Sequence, residues 1–385
     1  MERGVAGAVL AAAAVTLLAF RDGGYFPSAW RVATVALLAA AALAIVVRGT
    51  PKPSRGQLAV VLGLAALAGW TALSALWSPD PGTSLLEAQR ALVYVAAIVA
   101  AIAVGGRLLA GTIAGIGIVC VYAVGQRLLQ GAPDPPDPFQ AELLQEPLGY
   151  ANALGGLAAI ALAATLVLAR VPRLRLLTLA VCFLFLITVV LTGSRGGWLA
   201  ALVGAAVAVL LAWGRRRLAA AAAAVAGLAL ALALALPAGP LVDEAAARGG
   251  DRAWYWHVAW QEVSAFPVAG RGAGTFELAW LEEQPISVSV VDAHSVYLET
   301  FAELGLVGLG LLALALAPPL VAAFRGVGGI TSAAATGGYV AFLFHAGVDW
   351  DWEMPAVTVA GLLCGAAVLR CRVDARSGCD AHLHG

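Results

Sequence analysis

Two apolar runs separated by a glycine-rich turn occupy residues 176–213, which read LLTLAVCFLFLITVVLTGSRGGWLAALVGAAVAVLLAW. The runs 176–192 and 197–213 each fall within the ~17–25 residues that a helix needs to cross a bilayer. Arg195 is the one charged residue in the whole stretch. Because the bilayer core offers the backbone no water, each run has to satisfy its own amides. The stretch therefore predicts two membrane-spanning helices joined by a turn at the membrane surface.

The rest of the chain repeats this pattern. It has 385 residues, of which 61% are hydrophobic and 12% charged, with a mean hydropathy of +0.88. Soluble domains carry about 25% charged residues, so this chain cannot cover itself in water. That excludes a soluble enzyme, a nucleic-acid-binding protein and a disordered tail. The composition instead predicts an all-α, polytopic membrane protein with about 12 transmembrane helices. The apolar runs are 4–20, 30–47, 58–76, 91–104, 108–129, 151–168, 176–192, 197–213, 218–236, 304–321, 333–346 and 355–369.

The basic residues predict which side of the membrane each connecting segment occupies. With the N-terminus inside, the inner segments hold 15 of the 23 Lys and Arg residues but three of the 23 acids. Short loops rich in Lys and Arg stay on the cytoplasmic side. We therefore expect a multi-pass protein of the bacterial cytoplasmic (inner) membrane. Its predicted parts are transmembrane helices 1–9 in residues 1–236, an external loop subdomain in 237–303, transmembrane helices 10–12 in 304–369 and a cytoplasmic tail in 370–385.

The long loop between the ninth and tenth spans is the largest polar feature of the chain. It holds four of the eleven tryptophans, and residues 252–266 carry aromatic side chains at helical spacing. Loops of this length are usually functional or disordered, and the aromatic content argues against disorder. We predict a small external subdomain with short amphipathic helices lying against the membrane surface. The alternative is an interfacial helix that only anchors the loop.

Arg195 is the first candidate for a binding residue. It lies between glycines in Thr192-Gly-Ser-Arg-Gly-Gly197, immediately before an apolar run. A helix N-terminus, bare backbone amides and a guanidinium together make an anion site. The alternatives are a structural turn and an arginine whose head simply reaches the membrane surface.

The long loop adds two arginines and a histidine. Arg252 follows Asp251, which offers it a neutralising partner, and Arg271 lies in Gly270-Arg-Gly-Ala-Gly274. That glycine-rich segment lacks the strand and the spacing of a nucleotide-binding loop, so a tight turn explains it better. His294 lies just before an apolar run and is a candidate base, because histidine accepts a proton near neutral pH. A capping or core histidine is the alternative.

A cluster of acids near the last span allows another chemistry. Asp349, Asp351 and Glu353 alternate with two tryptophans, after His345 at the end of a span. An extended segment would place the three acids on one side, where they could hold a divalent ion with His345 or Asp292. The tryptophans suit a membrane-interface belt equally well. We expect no metal at the functional site.

The candidate residues share one side of the predicted topology. All of them fall on the outer side, and none lies in the middle of a span. Ion-coupled transporters usually need ionisable groups or broken helices near the midplane. The pattern therefore favours an enzyme that acts on a lipid whose polar head lies at the outer leaflet. A transporter or flippase of a lipid-linked or anionic solute is the main alternative, and a structural scaffold is a third.

Six motifs along the chain resemble the O-antigen ligase family, which also includes O-antigen polymerases and bacterial O-linked oligosaccharyltransferases. Their order, spacing and place on the topology carry the resemblance, which covers roughly residues 70–355. The motifs are Trp77-Ser-Pro-Asp-Pro81, Gly149-Tyr-Ala-Asn152, Thr192-Gly-Ser-Arg-Gly196, Arg252-Ala-Trp-Tyr-Trp256, Pro267-Val-Ala-Gly-Arg-Gly-Ala-Gly-Thr-Phe276 and His294-Ser-Val-Tyr-Leu-Glu-Thr-Phe-Ala-Glu-Leu-Gly305.

The resemblance implies a membrane glycosyltransferase that needs no metal or cofactor. Its donor would be a polyprenyl-pyrophosphate-linked glycan, and its acceptor a hydroxyl of a glycan, lipid or protein at the outer face. By motif, Arg195 and one arginine of the long loop bind the pyrophosphate. Arg252 is the first choice for the loop arginine, and Arg271 and Arg248 are the other candidates in the same loop. His294 acts at the acceptor hydroxyl. Direct displacement of the pyrophosphate would invert the anomeric centre. Membrane lipids are expected partners, and nucleic acids are not.

Overall fold

The computed structural model describes residues 2–132, 140–235, 250–326 and 329–376. Arg248, the first part of the 237–303 loop and the end of the 370–385 tail lie outside these residues. Within them the protein is all-α, as predicted. The helices are α1 Glu2–Ala19, α2 Pro27–Arg48, α3 Arg55–Ser74, α4 Pro81–Val104, α5 Leu108–Gln130, α6 Ala151–Leu166, α7 Arg175–Leu191, α8 Arg195–Ala212, α9 Arg216–Ala235, α10 Arg252–Ala265, α11 Phe276–Glu283, α12 Val296–Phe324, α13 Ile330–His345 and α14 Pro355–Arg376.

Each of the twelve apolar runs coincides with a helix, α1–α9 and α12–α14. Nine helices of the described chain are long and apolar enough to cross a membrane. The apolar parts of α1 and α14 are shorter, at Gly4–Ala19 and Pro355–Cys371, and α13 has 16 residues. The largest difference from the predicted bounds is in α4, which begins at Pro81, ten residues before the apolar run. Asp80 explains this start, because its side chain accepts from the Thr83 amide and caps the helix.

The outer surface of the helix bundle is apolar, as a bilayer requires. On α7 and α9 the most hydropathic stretches are only 28% and 17% buried. Leu176 is 83% exposed and Val225 66% exposed. Water would make such surfaces costly, whereas lipid tails are an equally apolar solvent. The chain is a multi-pass membrane protein.

Helix α6 is the centre of the bundle and carries the motif Gly149-Tyr-Ala-Asn152 at its N-terminal end. Its apolar stretch is 78% buried, and it packs against α7, α8 and α13. Small residues allow this close packing. A side chain added to Gly155 would meet Ser194 within 2.7 Å, and one added to Gly156 would meet the His345 ring within 2.6 Å. The N-terminal end of α6 therefore lies directly against the Arg195 motif and the C-terminal end of α13.

Helix α12 is bent where the long loop meets the membrane-spanning part. Gly305 has non-helical angles (φ +67°) inside the helix, close to residue 304, where the sequence places the start of the span. The loop packs onto this break, because the amides of Leu306 and Val307 donate to the carbonyls of Pro267 and Val268. A side chain at residue 305 would collide with the Val268 carbonyl. The break thus fixes how the long loop meets α12.

The long loop folds around its own apolar cluster. The predicted helix at 252–266 is confirmed as α10, and it packs with α11 and the first turns of α12. The cluster buries Tyr255, Val258, Ala259, Val263, Phe276, Ala279, Trp280, Val290, Ala293, Leu298 and Ala302. Because the aromatic stripe of α10 packs into protein, the helix does more than anchor the loop at an interface.

Two of the six motifs, residues 77–81 and residues 267–276, lie against each other. Trp77 donates its indole N–H to the carbonyl of Gly270 at 3.2 Å, and Ser84 donates to the carbonyl of Ala273 at 2.7 Å. Gly272 lies so close to Ser78 that a side chain there would meet it within 2.5 Å. The glycine-rich segment 270–274 is therefore a tight turn against the start of α4, as the sequence suggests. It positions the long loop over the end of α3 and the start of α4.

Candidate active site

Arg252 and Tyr150 meet at Asp349. The Arg252 guanidinium donates to one Asp349 oxygen at 2.9 Å, and the Tyr150 hydroxyl donates to the other at 2.9 Å. Asn152 in turn donates to the Tyr150 hydroxyl at 2.9 Å. These bonds join the first turn of α10, the start of α6 and the segment after α13. The partner of Arg252 is thus Asp349 rather than the neighbouring Asp251.

Asp349 is buried and ionised. Burial raises the pKa of this carboxyl, but the Arg252 guanidinium and the nearby rings of His345 and His294 outweigh burial, so that its pKa lies below the usual range. Among the described residues, Arg252 bonds Asp349 and Tyr150, which leaves some of its five guanidinium N–H groups without a partner. The Arg252 side chain is 27% exposed. Arg252 is therefore held rigidly from one side and keeps N–H groups for an anionic ligand.

His294 lies beside this pair in a form suited to accept a proton. Its Nδ1 bonds to the carbonyl oxygen of Asp292 at 2.9 Å. A carbonyl only accepts, so Nδ1 carries the proton and Nε2 keeps its lone pair. Burial lowers the pKa of His294, the Asp349 carboxylate opposes that shift and Arg252 adds to it, and the net pKa is below its ordinary value. The imidazole is thus neutral at neutral pH and can act as a base.

The backbone of His294 is unusual. Its φ is +56°, in the left-handed region that side chains other than glycine rarely adopt. The ring packs on Tyr255 and Trp350, with centroid separations of 5.1 and 6.3 Å. Strain of this kind persists only where the surroundings enforce it, and it is common at functional sites.

Arg195 begins α8, and the residues around it leave its amide open. The Ser194 side chain caps the helix by accepting from the Gly197 amide at 3.0 Å, and the Ser194 carbonyl accepts from the Trp198 amide at 3.1 Å. The first amides of a helix have no partner within it, and those of Arg195 and Gly196 form no backbone hydrogen bond among the described residues. The Arg195 side chain is exposed. In the part of the chain that the structure describes, it forms no ion pair.

Residues 345–351, here called the 345–351 loop, contact the surroundings of three predicted site residues. Asp349 bonds Arg252, and the Trp350 ring packs near His294. Beside Arg195, a side chain on Gly196 would meet Val348 at 3.2 Å and the His345 ring at 3.4 Å. The structure thus brings Arg252 and His294 together around Asp349, and it attaches the Arg195 turn to the same loop.

Arg271 lies in a different network. It donates to Glu262 at 3.2 Å and to both oxygens of Glu282 at 2.6 and 2.9 Å. These two acids belong to α10 and α11, so Arg271 ties the long loop to itself. To bind a pyrophosphate, this guanidinium would have to leave both carboxylates.

The three alternating acids do not form a common metal site. Asp349 pairs with Arg252, Asp351 with His345 and Glu353 with Arg90. The prediction that the three carboxylates lie on one side of an extended segment is wrong, because residues 351–353 form a turn of 3-10 helix.

Glu353 instead lines a cavity of about 160 Å³ between α3, α4, α12 and the long loop. Its carboxylate lies within 4.8 Å of those of Asp292 and Glu299, a grouping that ligand spacing alone would allow to hold a metal ion. Arg90 argues against a cation there, because it bonds both Glu353 and Glu87 within the same cavity wall. The backbone carbonyl of Asp292 accepts the hydrogen bond from His294 Nδ1, so this acidic cavity borders His294.

Several site residues were not assigned a role from the sequence. Tyr150 stands in a quoted motif, but no spacing rule indicates that it bonds an acid 199 positions away. Glu87 and Arg90 lie before the fourth apolar run, so they read as loop residues until α4 is seen to start at Pro81. The sequence suggests His345 only as the end of a span and as a possible metal ligand, and not as the partner of Asp351.

The comparison with protein families agrees with this geometry. Residues 180–313 match the family model described as O-antigen ligase, a segment that contains Arg195, Arg252, Arg271 and His294. No curated protein matches the chain. The resemblance that the motifs predict is confirmed over residues 180–313, where the chain matches the O-antigen ligase family model.

Proposed function

We propose that this protein transfers or polymerises a glycan from a polyprenyl-pyrophosphate donor onto an acceptor hydroxyl at the outer face of the bacterial cytoplasmic membrane. The observation that supports this most is the arrangement of Arg252 and His294 around Asp349, with the Arg195 turn on the same loop. It combines an anion-binding side with a neutral base.

The proposed reaction is a direct displacement. His294 Nε2 takes the proton of the acceptor hydroxyl, whose oxygen attacks the anomeric carbon as the bond to the pyrophosphate oxygen breaks. The leaving pyrophosphate gathers negative charge, which Arg195, Arg252 and the open amides of α8 stabilise. Arginine suits this task because its planar fork meets phosphate oxygens bidentately. Attack opposite the leaving group inverts the anomeric centre. Arg271 would join only by leaving Glu262 and Glu282, so the proposal does not depend on it.

An apolar groove supports a lipid donor. It has a volume of about 330 Å³ and lies among α8, α9, α12 and α13, within the bundle. Leu230 lines the groove and contacts Gly347, two residues before Asp349. A prenyl chain in this groove would bring the attached pyrophosphate close to Arg252. The acceptor is a glycan, lipid or protein hydroxyl.

The test uses purified protein in proteoliposomes with a polyprenyl-pyrophosphate oligosaccharide and envelope extract as the source of acceptor. Release of polyprenyl pyrophosphate reports transfer to any acceptor. We expect the Arg195→Ala protein to lose ~10²–10³-fold of the rate, as expected when a charge-stabilising donor is removed. Arg31→Ala is the matched control, because Arg31 is another arginine near an outer helix end.

Normal release by the Arg195→Ala protein would falsify the anion site. Movement of the intact donor across the bilayer without release of polyprenyl pyrophosphate would instead favour the transporter alternative.

A further inference from the structure

His345 is a buried histidine that the proposed reaction does not use. It is 0% exposed at the end of α13, and its Nδ1 bonds Asp351 Oδ2 at 2.7 Å. Its Nε2 is buried and has no hydrogen-bond partner among the described residues. An unpaired buried nitrogen costs free energy, so Nε2 adds nothing to stability. What the ring supplies here is the Nδ1–H bond to the buried Asp351 carboxylate, which a phenylalanine would leave without this partner.

The surroundings of the His345 ring are built to admit it. The ring lies between α6 and α8, where Gly156 and Gly196 face it. A side chain on Gly156 would meet the ring atoms Cε1 and Nδ1 at 2.6 Å, a separation that real side chains do not show. The ring thus occupies space that an alanine at residue 156 would block. Gly196 directly follows Arg195.

The bond from His345 to Asp351 closes the 345–351 loop on itself. Between these two residues the loop turns sharply, with the Val348 amide donating to the His345 carbonyl at 2.9 Å. The loop also meets the start of α12, where the Val296 amide donates to the Ala346 carbonyl at 2.9 Å. The shape of this loop sets where Asp349 meets Arg252 and where Val348 meets Gly196.

We infer that His345 is a positioning residue for the proposed reaction, and that its bond to Asp351 holds the 345–351 loop in the shape that sets Arg252 and the Arg195 turn relative to each other. This inference rests on the proposed function. His345 itself touches neither substrate. Its Nδ1–H is the group that matters, because that atom makes the loop-closing bond.

The experiment compares two replacements of His345 in the full-length protein in proteoliposomes. His345→Phe fills the space but loses the bond, whereas His345→Asn keeps an N–H close to the position of Nδ1. We expect kcat/KM for the polyprenyl-pyrophosphate donor to fall ~10²-fold in His345→Phe, as for a reacting group displaced by about 1 Å. A raised donor KM should carry most of the loss, and His345→Asn should retain activity within several-fold of the wild type.

Asp351→Ala supplies the reciprocal change. Because it removes the same bond, the double variant should be no worse than either single variant. Hydrogen exchange of residues 345–354 is a readout that needs no activity. We expect faster exchange in His345→Phe and Asp351→Ala, and near wild-type exchange in His345→Asn.

The outcomes distinguish the proposed glycan transfer from the positioning role of His345. A wild-type protein without transfer, but with the expected exchange pattern, overturns the proposed function and leaves the loop closure standing. Wild-type kinetics in a folded His345→Phe protein overturn the positioning role. Equal loss in His345→Phe and His345→Asn also overturns it, since the ring would then act through Nε2.

Discussion

At the scale of single residues, the two arginines of the long loop differ in their partners. Among the described residues, Arg252 bonds Asp349 and Tyr150 and keeps further N–H groups, whereas Arg271 is bonded to the two carboxylates of Glu262 and Glu282. The two arginines therefore predict different consequences when each is changed to lysine, which keeps the charge but loses the planar fork.

We expect Arg252→Lys to lower transfer ~10²-fold with little loss of thermal stability, because a point charge cannot replace bidentate contacts to pyrophosphate. Arg271→Lys should leave transfer within about threefold and lower the melting temperature, because it weakens a network inside the loop. Transfer rates and thermal melts of the two proteins in detergent check this. The reverse pattern would move the pyrophosphate site to Arg271.

The protonation of His294 gives a pH prediction. Its lowered pKa means that the imidazole stays neutral, and competent as a base, below the ordinary histidine value of about 6.5. The acidic limb of kcat/KM should therefore lie below that pH and vanish in His294→Asn. Removing the Arg252 cation lifts part of the lowering, so Arg252→Gln should move the limb of its residual activity to higher pH. A limb well above pH 7 contradicts the assignment of His294 as the base.

Helices show what the sequence predicts well and what it does not. Twelve apolar runs locate twelve helices, because the bilayer forces each run to satisfy its own backbone. The apolar pattern does not predict the start of α4 at Pro81, because Glu87 and Arg90 interrupt it. In the fold, Arg90 pairs with Glu87 one turn away in α4 and with Glu353 far along the chain. The acids at 349–353 were assigned to one side because alternation assumes a strand, whereas a 3-10 turn separates them.

The same limit applies to the candidate site. Arg195, Arg252 and His294 were predicted from motifs, because glycine-flanked arginines and a histidine beside a span are local signals. The sequence does not predict that Tyr150 and Asp349 are their partners. The bond between residues 150 and 349 depends on how the helices pack, and no periodic pattern in the sequence indicates it.

The break in α12 makes a prediction at the level of the helix. Gly305 has a positive φ and lies against the Val268 carbonyl, so Gly305→Ala meets both backbone strain and a collision. We expect a loss of at least ~1–2 kcal/mol of stability, and loosening of residues 267–276 where they bond to α12. Thermal melts and protease sensitivity of the long loop measure this. Gly310→Ala is the matched control, because a side chain there meets nothing within 4 Å. Equal melting of both proteins would show that the break is not required.

At the scale of the whole molecule, Arg252 and His294 come close to Asp349 because the long loop reaches back to the helix bundle, whereas Arg195 belongs to α8 of the bundle itself. The loop packs on the break in α12 and on the start of α4, and Arg252 reaches Asp349 just before α14. The apolar groove among α8, α9, α12 and α13 leads to the same region. The lipid donor that we propose would have its chain in this groove and its pyrophosphate at the loop.

The most direct measurement of this account is a cryo-EM structure of the protein in nanodiscs with a non-hydrolysable polyprenyl-pyrophosphate analogue. We expect the diphosphate to contact both Arg195 and Arg252 on the outer side of the membrane, with His294 facing the anomeric position. A diphosphate bound at the inner face, or held by only one of the two arginines with the other directed elsewhere, would contradict the account.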